Sequence, residues 1–335
     1  MPSMERESHR IVIAGASSLL GAELKSLLEE SKFAGWDFRL LDEEVAAGTL
    51  TEAGGEPVVI QPVEEGSFEK ARFVFFTGSP SFTKVNLVAA THSSGRIVDL
   101  SGSLACEGGA SLWFPKLDEL RGADFPSGTA AFAVPSAAGA AASAMTLALS
   151  RCGVRRIAFQ WFQPVSEAGR AGIEELESQT GQLLSFQSVG QPVFDAQVAF
   201  NMLDAYGTAS VHKLDAVWER VRAEVKACLG NSAVVPSIQV VHAPVFYSTT
   251  FSVYAELDPG VDAGKIAKSC TDAGFALTAR GEAGPSNVSA AGEKAIQLAQ
   301  PKADPGHPGT WWFWGAADNI RLPAWNAVKL AEKLA

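Results

Sequence analysis

Three stretches carry residues whose types and spacing could do chemistry. The first is Gly15-Ala16-Ser17-Ser18-Leu19-Leu20-Gly21, which follows a short apolar run and opens a helical pattern. In a dinucleotide-binding turn, glycines let the chain bend sharply and bring backbone N–H groups close to a pyrophosphate. Here the outer glycines are present, while the middle position is Ser18, whose side chain crowds that approach. A cofactor turn and a plain strand–helix turn both stay open on this evidence. The second stretch is Asp42-Glu43-Glu44, at the end of the next strand. A carboxylate about 20 residues beyond the turn can bind the adenosine ribose and disfavours a 2′-phosphate. If a dinucleotide binds, the electrostatics therefore favour NAD and disfavour NADP; the other reading is a solvated acidic loop. The third begins at Ser136, where an alanine-rich helix starts. Its first N–H groups and dipole attract an anion unless water or a loop covers them.

Nucleophiles and bases are sparse. Ser101 and Ser136 are candidate hydroxyl nucleophiles, and neither has a base partner visible in the sequence. The four cysteines (Cys106, Cys152, Cys228, Cys270) are widely spaced and fit no zinc pattern. The last three fall near expected helix ends and read as small buried or half-buried thiols. Glu107 beside Cys106 would raise a thiol pKa rather than lower it. The five histidines (His9, His92, His212, His242, His307) carry no metal or triad spacing. No metal site is expected, and His242 reads as a structurally satisfied imidazole before it reads as a base.

The elements that must position these residues fall into two patterns. In the first half, strands alternate with helices: Arg10 to Ala14, Phe38 to Leu41, Phe73 to Phe76, Ile97 to Asp99 and Ala130 to Val134 are short apolar runs, with helical patterns through Leu24, Leu27 and Leu28 and through Val85 to Ala90. That alternation predicts an α/β domain, a Rossmann-like parallel sheet wrapped by helices. The helix Ser136 to Leu149 is closed by Gly153. The second half predicts an α+β domain with a large, mainly antiparallel sheet. Its strands are Arg156 to Phe162, Ser237 to Pro244, Tyr247 to Glu256 and Trp311 to Trp314, the last with both faces covered. Helices are expected over Ala171 to Leu184 and over Lys213 to Cys228, with Leu214, Val217, Val221 and Val225 on one face. An aromatic sheet of this kind serves as a subunit interface or as a monomer core. The final helix, Ala324 to Leu334, is expected to return to the first domain. Loops are expected at Gly54 to Pro57, Ala283 to Ser286 and Ala303 to Pro308.

The chain has 335 residues, enough for two domains. Its 27 Lys and Arg against 37 Asp and Glu give a formal charge of −10. An acidic chain without a dense basic run suits neither nucleic acid nor anionic membrane. No apolar stretch reaches the ~20 residues of a membrane span. The opening Met1 to Arg10 lacks the apolar segment of a secretory signal, so a cytoplasmic protein is expected.

Taken in order, the motifs resemble those of the aspartate-semialdehyde dehydrogenases over essentially the whole length. Besides the Gly15 to Gly21 turn, Phe162-Gln163-Pro164-Val165-Ser166-Glu167-Ala168-Gly169 looks like the family's Tyr-Gln-Ala-Val-Ser-Gly-Ala-Gly stretch. Phe200-Asn201 matches its Phe-Asn, and Pro244-Val245-Phe246-Tyr247 resembles its Arg-x-Pro-Val strand. Ala317-Asp318-Asn319-Ile320-Arg321, followed by Ala324-Trp325-Asn326-Ala327-Val328, is similar to its C-terminal signature. The resemblance implies a dinucleotide-binding domain over 1–134 and 320–335 and a dimerisation and substrate domain over 135–319. It also implies a homodimer, with pairing to an active relative as an alternative.

The family's reaction is reductive dephosphorylation of an aspartyl phosphate. It needs a thiolate nucleophile, a His to move the proton, cations for phosphate and carboxylate, and a nicotinamide. By the resemblance, the nucleophile position is Ala137 and the His position is Thr249. The substrate-binding Arg falls at His242, and the phosphate-binding Arg at or next to Ala105. The 2′-phosphate site falls within Glu43-Glu44-Val45. Glu167 replaces a Gly near the expected nicotinamide. Gln163 and Asn319 are retained, and Arg220 stands in for a substrate-binding Lys. These replacements point to a fold kept without its chemistry, a pseudoenzyme with a structural, ligand-binding or regulatory role. The alternative is a dehydrogenase with relocated machinery that uses NAD.

Overall fold

The computed structural model describes residues 9–46, 48–53, 56–93, 95–107 and 109–335. Residues 1–8 and the loop glycines Gly54 and Gly55 lie outside the described residues, as does the side chain of Glu107. The chain forms two compact units. One comprises Met1–Pro115, Phe125–Pro135 and Pro323–Ala335; the other comprises Lys116–Asp124 and Ser136–Leu322. The short helix Leu117–Arg121 thus goes with the second unit, although it precedes residue 134.

The first unit is built on a seven-stranded sheet. In spatial order its strands are Gln61–Pro62, Asp37–Asp42, Arg10–Ala14, Ala71–Phe76, Arg96–Asp99, Ala131–Ala133 and Ser111–Leu112. Every neighbouring pair is parallel. Strands buried on both faces need apolar residues throughout, which explains why Ile11-Val12-Ile13-Ala14 and Phe73-Val74-Phe75-Phe76 run without a polar break. The helix Leu19–Glu29 packs Leu24, Leu27 and Leu28 into the core of this unit. From the far end of the sequence, Ala324, Ala327, Val328, Leu330 and Ala331 of helix Arg321–Leu334 enter the same core. Leu50–Ala53 pairs antiparallel with Glu56–Val59, so Glu56 and Pro57 of the expected loop stand in a strand.

The second unit carries a mixed sheet. Strand Arg156–Gln163 lies second from one edge, with the edge strand Ser237–His242 parallel on one side and Thr249–Glu256 antiparallel on the other. Thr310–Ala317 follows, antiparallel, and the two-residue strands Gln297–Leu298, Ala276–Leu277 and Lys302–Ala303 complete it. Ser237–His242 and Thr249–Glu256 are close in sequence but do not pair, because Arg156–Gln163 lies between them. The alternation along Arg156–Gln163 buries Ile157, Phe159, Trp161 and Gln163 on one face. Helices Ala137–Ser150 and Leu214–Leu229 belong to this unit and pack on each other.

Within the single chain, the tryptophan strand is covered on one face only. Trp311 and Phe313 are buried, but Trp312 is 43% and Trp314 39% exposed. The exposed rings pair with neighbours across the sheet, Tyr254 with Trp312 at 5.3 Å and Phe162 with Trp314 at 5.8 Å between centroids. Among the described residues, no helix is long and apolar enough to cross a membrane. No cluster of three metal-ligating side chains occurs among them either.

Candidate functional site

In the first unit the glycine turn is closely built. Gly15 has φ +96°, and a Cβ there would stand 2.1 Å from the backbone nitrogen of Gly78. Gly21 is equally tight, 2.4 Å from the Gly15 carbonyl oxygen. Ser18, expected from its size to crowd the approach, turns its Oγ inward instead. There it accepts from Gly21 N at 2.9 Å, and its one proton is shared between the carbonyls of Gly15 and Thr77. It is the N-cap of the helix. Asp42 is buried, and its Oδ2 accepts from Ser17 N at 2.7 Å while Oδ1 accepts from Glu43 N. Asp42 thus helps to build the turn, and a carboxylate retains acceptor capacity beyond two bonds. Glu43 and Glu44 are exposed.

In the second unit a cavity of about 40 Å³ opens beside strand Arg156–Gln163. Ser136, Ala138, Trp161, Gln163, Pro164, Glu167, Val217, Arg220, Val221, Val240 and Thr249 line it. The structure brings together Gln163, Arg220 and Thr249 from the sequence-derived set. Ala137 is buried as the first residue of its helix and does not line the cavity, although both neighbours do. Thr249 donates its hydroxyl to the Phe162 carbonyl at 3.1 Å. Asn319 lies in a polar group with Ser166, Ser248 and Glu167: its Oδ1 accepts from Ser248 N at 3.0 Å, and its Nδ2 donates to Glu167 Oε1 at 3.0 Å. Glu167 keeps open surface, which moderates the effect of the protein packed around it. Desolvation raises its carboxyl above the ordinary range, Arg220 and Asn319 oppose that, and Glu224 adds to it.

Glu224 is the residue that the sequence reading missed. Its side chain has no exposed surface. Its Oε2 accepts from both Ser136 N at 3.1 Å and Ser136 Oγ at 2.5 Å, and its Oε1 accepts from Arg220 Nε at 2.8 Å. The N-terminus of the alanine helix therefore already holds a carboxylate, supplied by the protein itself. The signal was available: Glu224 interrupts the apolar stripe of Leu214, Val221 and Val225, where a carboxylate needs a partner. Ser101 also has a carboxylate partner, Asp99 Oδ1 at 2.6 Å, which accepts from Ser101 N too. In both pairs the carboxylate also ties down backbone, which is capping geometry rather than the arrangement of a nucleophile and its base.

His242 sits outside the cavity lining, fully buried, with Tyr206 Oη on Nδ1 and the Val198 carbonyl on Nε2, both at 3.2 Å. The Val198 contact makes Nε2 the protonated nitrogen, so Nδ1 accepts from Tyr206. Burial holds the imidazole below its ordinary range, against the opposing pull of the Val198 carbonyl. The native state thus resists a proton that the unfolded chain takes up near pH 6.5. Stability from this group is complete above that pH and is lost as the pH falls toward the depressed native value. Glu175 and Glu167, raised by burial, act in the opposite sense as the pH falls. The readout is therefore a difference: between pH 7.5 and 5.5 the wild type should lose about 1 kcal/mol more than His242→Gln in urea titrations. Equal pH slopes would refute it.

Cys152, Cys228 and Cys270 are buried, and burial pushes the Cys228 and Cys270 thiols up to about 12. Cys106 is exposed on the short helix Ser103–Glu107 of the first unit.

The family model for the semialdehyde dehydrogenase dimerisation domain matches residues 147–322. The chain is 27% identical to a USG-1 protein homolog of Pseudomonas aeruginosa, over 97% of each chain. It is 24% identical to an aspartate-semialdehyde dehydrogenase of Rickettsia conorii, over 98% of each. Among solved structures, a probable aspartate-semialdehyde dehydrogenase from Pseudomonas aeruginosa superposes with a TM-score of 0.84 at 26% identity, covering 97% of this chain and 98% of that one.

Proposed function

The chain belongs to the semialdehyde dehydrogenase family, and from that premise we propose that it is a member without the family's reaction, its fold kept for binding. One observation carries this reading. At the start of the alanine helix, where the resemblance puts the nucleophile, stands the methyl group of Ala137, and the adjacent Ser136 N–H and hydroxyl are both held by Glu224. A methyl group cannot form a thioester, and loss of a nucleophile alone can cost on the order of a millionfold in turnover. Thr249 at the His position is no base near neutral pH, and its hydroxyl is spent on the Phe162 carbonyl. Glu224 also places negative charge where an anionic substrate would look for a helix N-terminus.

The residues of the first unit suit NAD better than NADP. The Gly15 to Gly21 turn would hold the pyrophosphate through the N–H groups of the first helical turn, and Asp42 would accept from the ribose. Glu43 and Glu44 give a 2′-phosphate no cation. When bound, the nicotinamide supplies a hydride acceptor or donor; this chain's part would be to hold the adenosine half.

The open aromatic face of Phe162, Trp314, Trp312 and Tyr254 supports a homodimer. Sedimentation of the purified chain at a single-chain mass would remove that part of the reading.

The test is a turnover assay with aspartate semialdehyde, phosphate and either NAD or NADP, alongside a fluorescence titration with NADH and NADPH. No turnover above background is expected, and NADH should bind at least tenfold tighter than NADPH. Turnover by the unaltered chain, whether or not it survives Cys106→Ala, or equal binding of both cofactors, would overturn the corresponding half.

A further inference from the structure

We propose that the cavity beside Trp161 takes a small uncharged molecule, one carbonyl or hydroxyl oxygen with a short apolar end, held by the Trp161 indole N–H and the Gln163 amide. The proposal rests on the reading that the family's chemistry is absent and names what the same place accepts instead.

Two unpartnered polar side chains line the cavity. Trp161 is 1% exposed, and its Nε1–H has no hydrogen-bond partner. A buried indole N–H without an acceptor is uncommon and asks for one. Gln163, 8% exposed, also lines the cavity, and its side-chain amide makes no hydrogen bond to the described residues. The two stand two residues apart on one strand and so share a face. Together they offer two kinds of donor and one acceptor, the set that a carbonyl or hydroxyl oxygen meets. Around them, Ala138, Pro164, Val221 and Val240 supply apolar wall.

Charge decides against an anion. Arg220 is the cation of the lining, and its Nε is bonded to Glu224 at 2.8 Å. Glu167 adds a second carboxyl group, so these three groups present no net positive charge. The helix N-terminus beside them is occupied by Glu224. A phosphate or carboxylate would find no net positive charge to offset its desolvation, whereas an uncharged oxygen meets the open donors without that cost. Size sets the other limit. A volume of about 40 Å³ corresponds to roughly three water-sized positions at ~10–15 Å³ each. A ligand of about four or five heavy atoms can bind no tighter than the micromolar range.

The experiment uses full-length protein with ¹⁵N-labelled tryptophan, in which the indole N–H resonance of Trp161 is the one missing from Trp161→Phe. Propionamide, propionate and inorganic phosphate are added in turn. The expected result is a saturable shift of the Trp161 resonance with propionamide at micromolar to millimolar concentration. Propionate and phosphate should act at least tenfold more weakly, and Gln163→Leu should weaken propionamide at least fivefold. The leucine variant keeps the test sound if Trp161→Phe, which loses a stacking partner of Phe159, fails to fold. A resonance unmoved by propionamide, the sign of a cavity that holds only water, overturns the proposal, as does tighter binding of propionate or phosphate. The readout is independent of turnover. Activity in the dehydrogenase assay would sink the inactive reading, while a silent Trp161 resonance in an inactive protein would sink this one alone.

Discussion

Glu224→Ala is expected to lower the free energy of unfolding by about 3 kcal/mol, within the range for removing one partner of a buried ion pair. The substitution strips three donors at once: Ser136 N, Ser136 Oγ and Arg220 Nε all bond to this carboxylate. Arg220 keeps some access to water, which holds the figure at the low end of that range. Glu224→Gln retains the shape and one acceptor and should cost roughly half as much. Gly139 supplies the sharper check. A Cβ on Gly139 would lie 2.3 Å from Glu224 Oε2, so Gly139→Ala must displace the carboxylate in the wild type. With Glu224→Ala the carboxylate is gone and only the Cβ of residue 224 remains, 3.0 Å from the new Cβ, a tight contact that part of the roughly 0.5–1 kcal/mol helical gain of Gly to Ala offsets. Gly139→Ala should therefore destabilise the wild type clearly more than it destabilises the Glu224→Ala protein, as measured by urea denaturation of all four members of the cycle. Additive effects would mean that the two residues do not meet.

Gly15→Ala should be at least as damaging. At φ +96° a Cβ is strained whatever the surroundings, costing about 1–2 kcal/mol. Here it also meets backbone: Gly78 N at 2.1 Å, Gly78 Cα at 2.5 Å and Thr77 C at 2.8 Å. Backbone of a central parallel strand and its exit turn cannot rotate away as a side-chain tip can. A total loss above about 3 kcal/mol follows, visible as a lower midpoint or as failure to accumulate folded protein. Gly35, with a similar φ of +86° but nothing within 4 Å, is the control; Gly35→Ala should cost only the backbone strain. Equal losses at the two glycines would show that the contact with Gly78 does not matter.

The parallel sheet was legible because its strands announce themselves. Ile11-Val12-Ile13 and Phe73-Val74-Phe75-Phe76 have no polar face, and only a sheet covered on both sides accommodates that. The helices were legible from their stops, Gly153 among them. What the sequence hid was pairing. Nothing local says that Ser237–His242 would lie parallel to Arg156–Gln163 instead of folding back on its neighbour Thr249–Glu256. Nor did Trp311-Trp312-Phe313-Trp314 reveal which two of its rings would be left open, since all four are large and apolar. At the site, position was readable but occupancy was not. The helix N-terminus at Ser136 was evident, while its occupant came from a helix about 85 residues later in the chain, through a carboxylate inside an apolar stripe. Ser18 misled for a related reason: its residue type suggested bulk in the way of a phosphate, and only the bond that its Oγ accepts from Gly21 N shows it serving as a cap.

The place of Arg156–Gln163 between Ser237–His242 and Thr249–Glu256 also shapes how the second unit is made. Both of its partners lie far downstream, the nearer one about 80 residues on, so neither edge can be paired until long loops have closed. On the ribosome this aromatic strand emerges after helix Ala137–Ser150 but well before either strand that pairs with it. Its Phe159 and Trp161 must wait, with the neighbouring edges bare, through the interval in which chains of this kind associate wrongly. Production of the protein should therefore depend on how fast Ser237–His242 and Thr249–Glu256 arrive, more than on the final stability of the sheet.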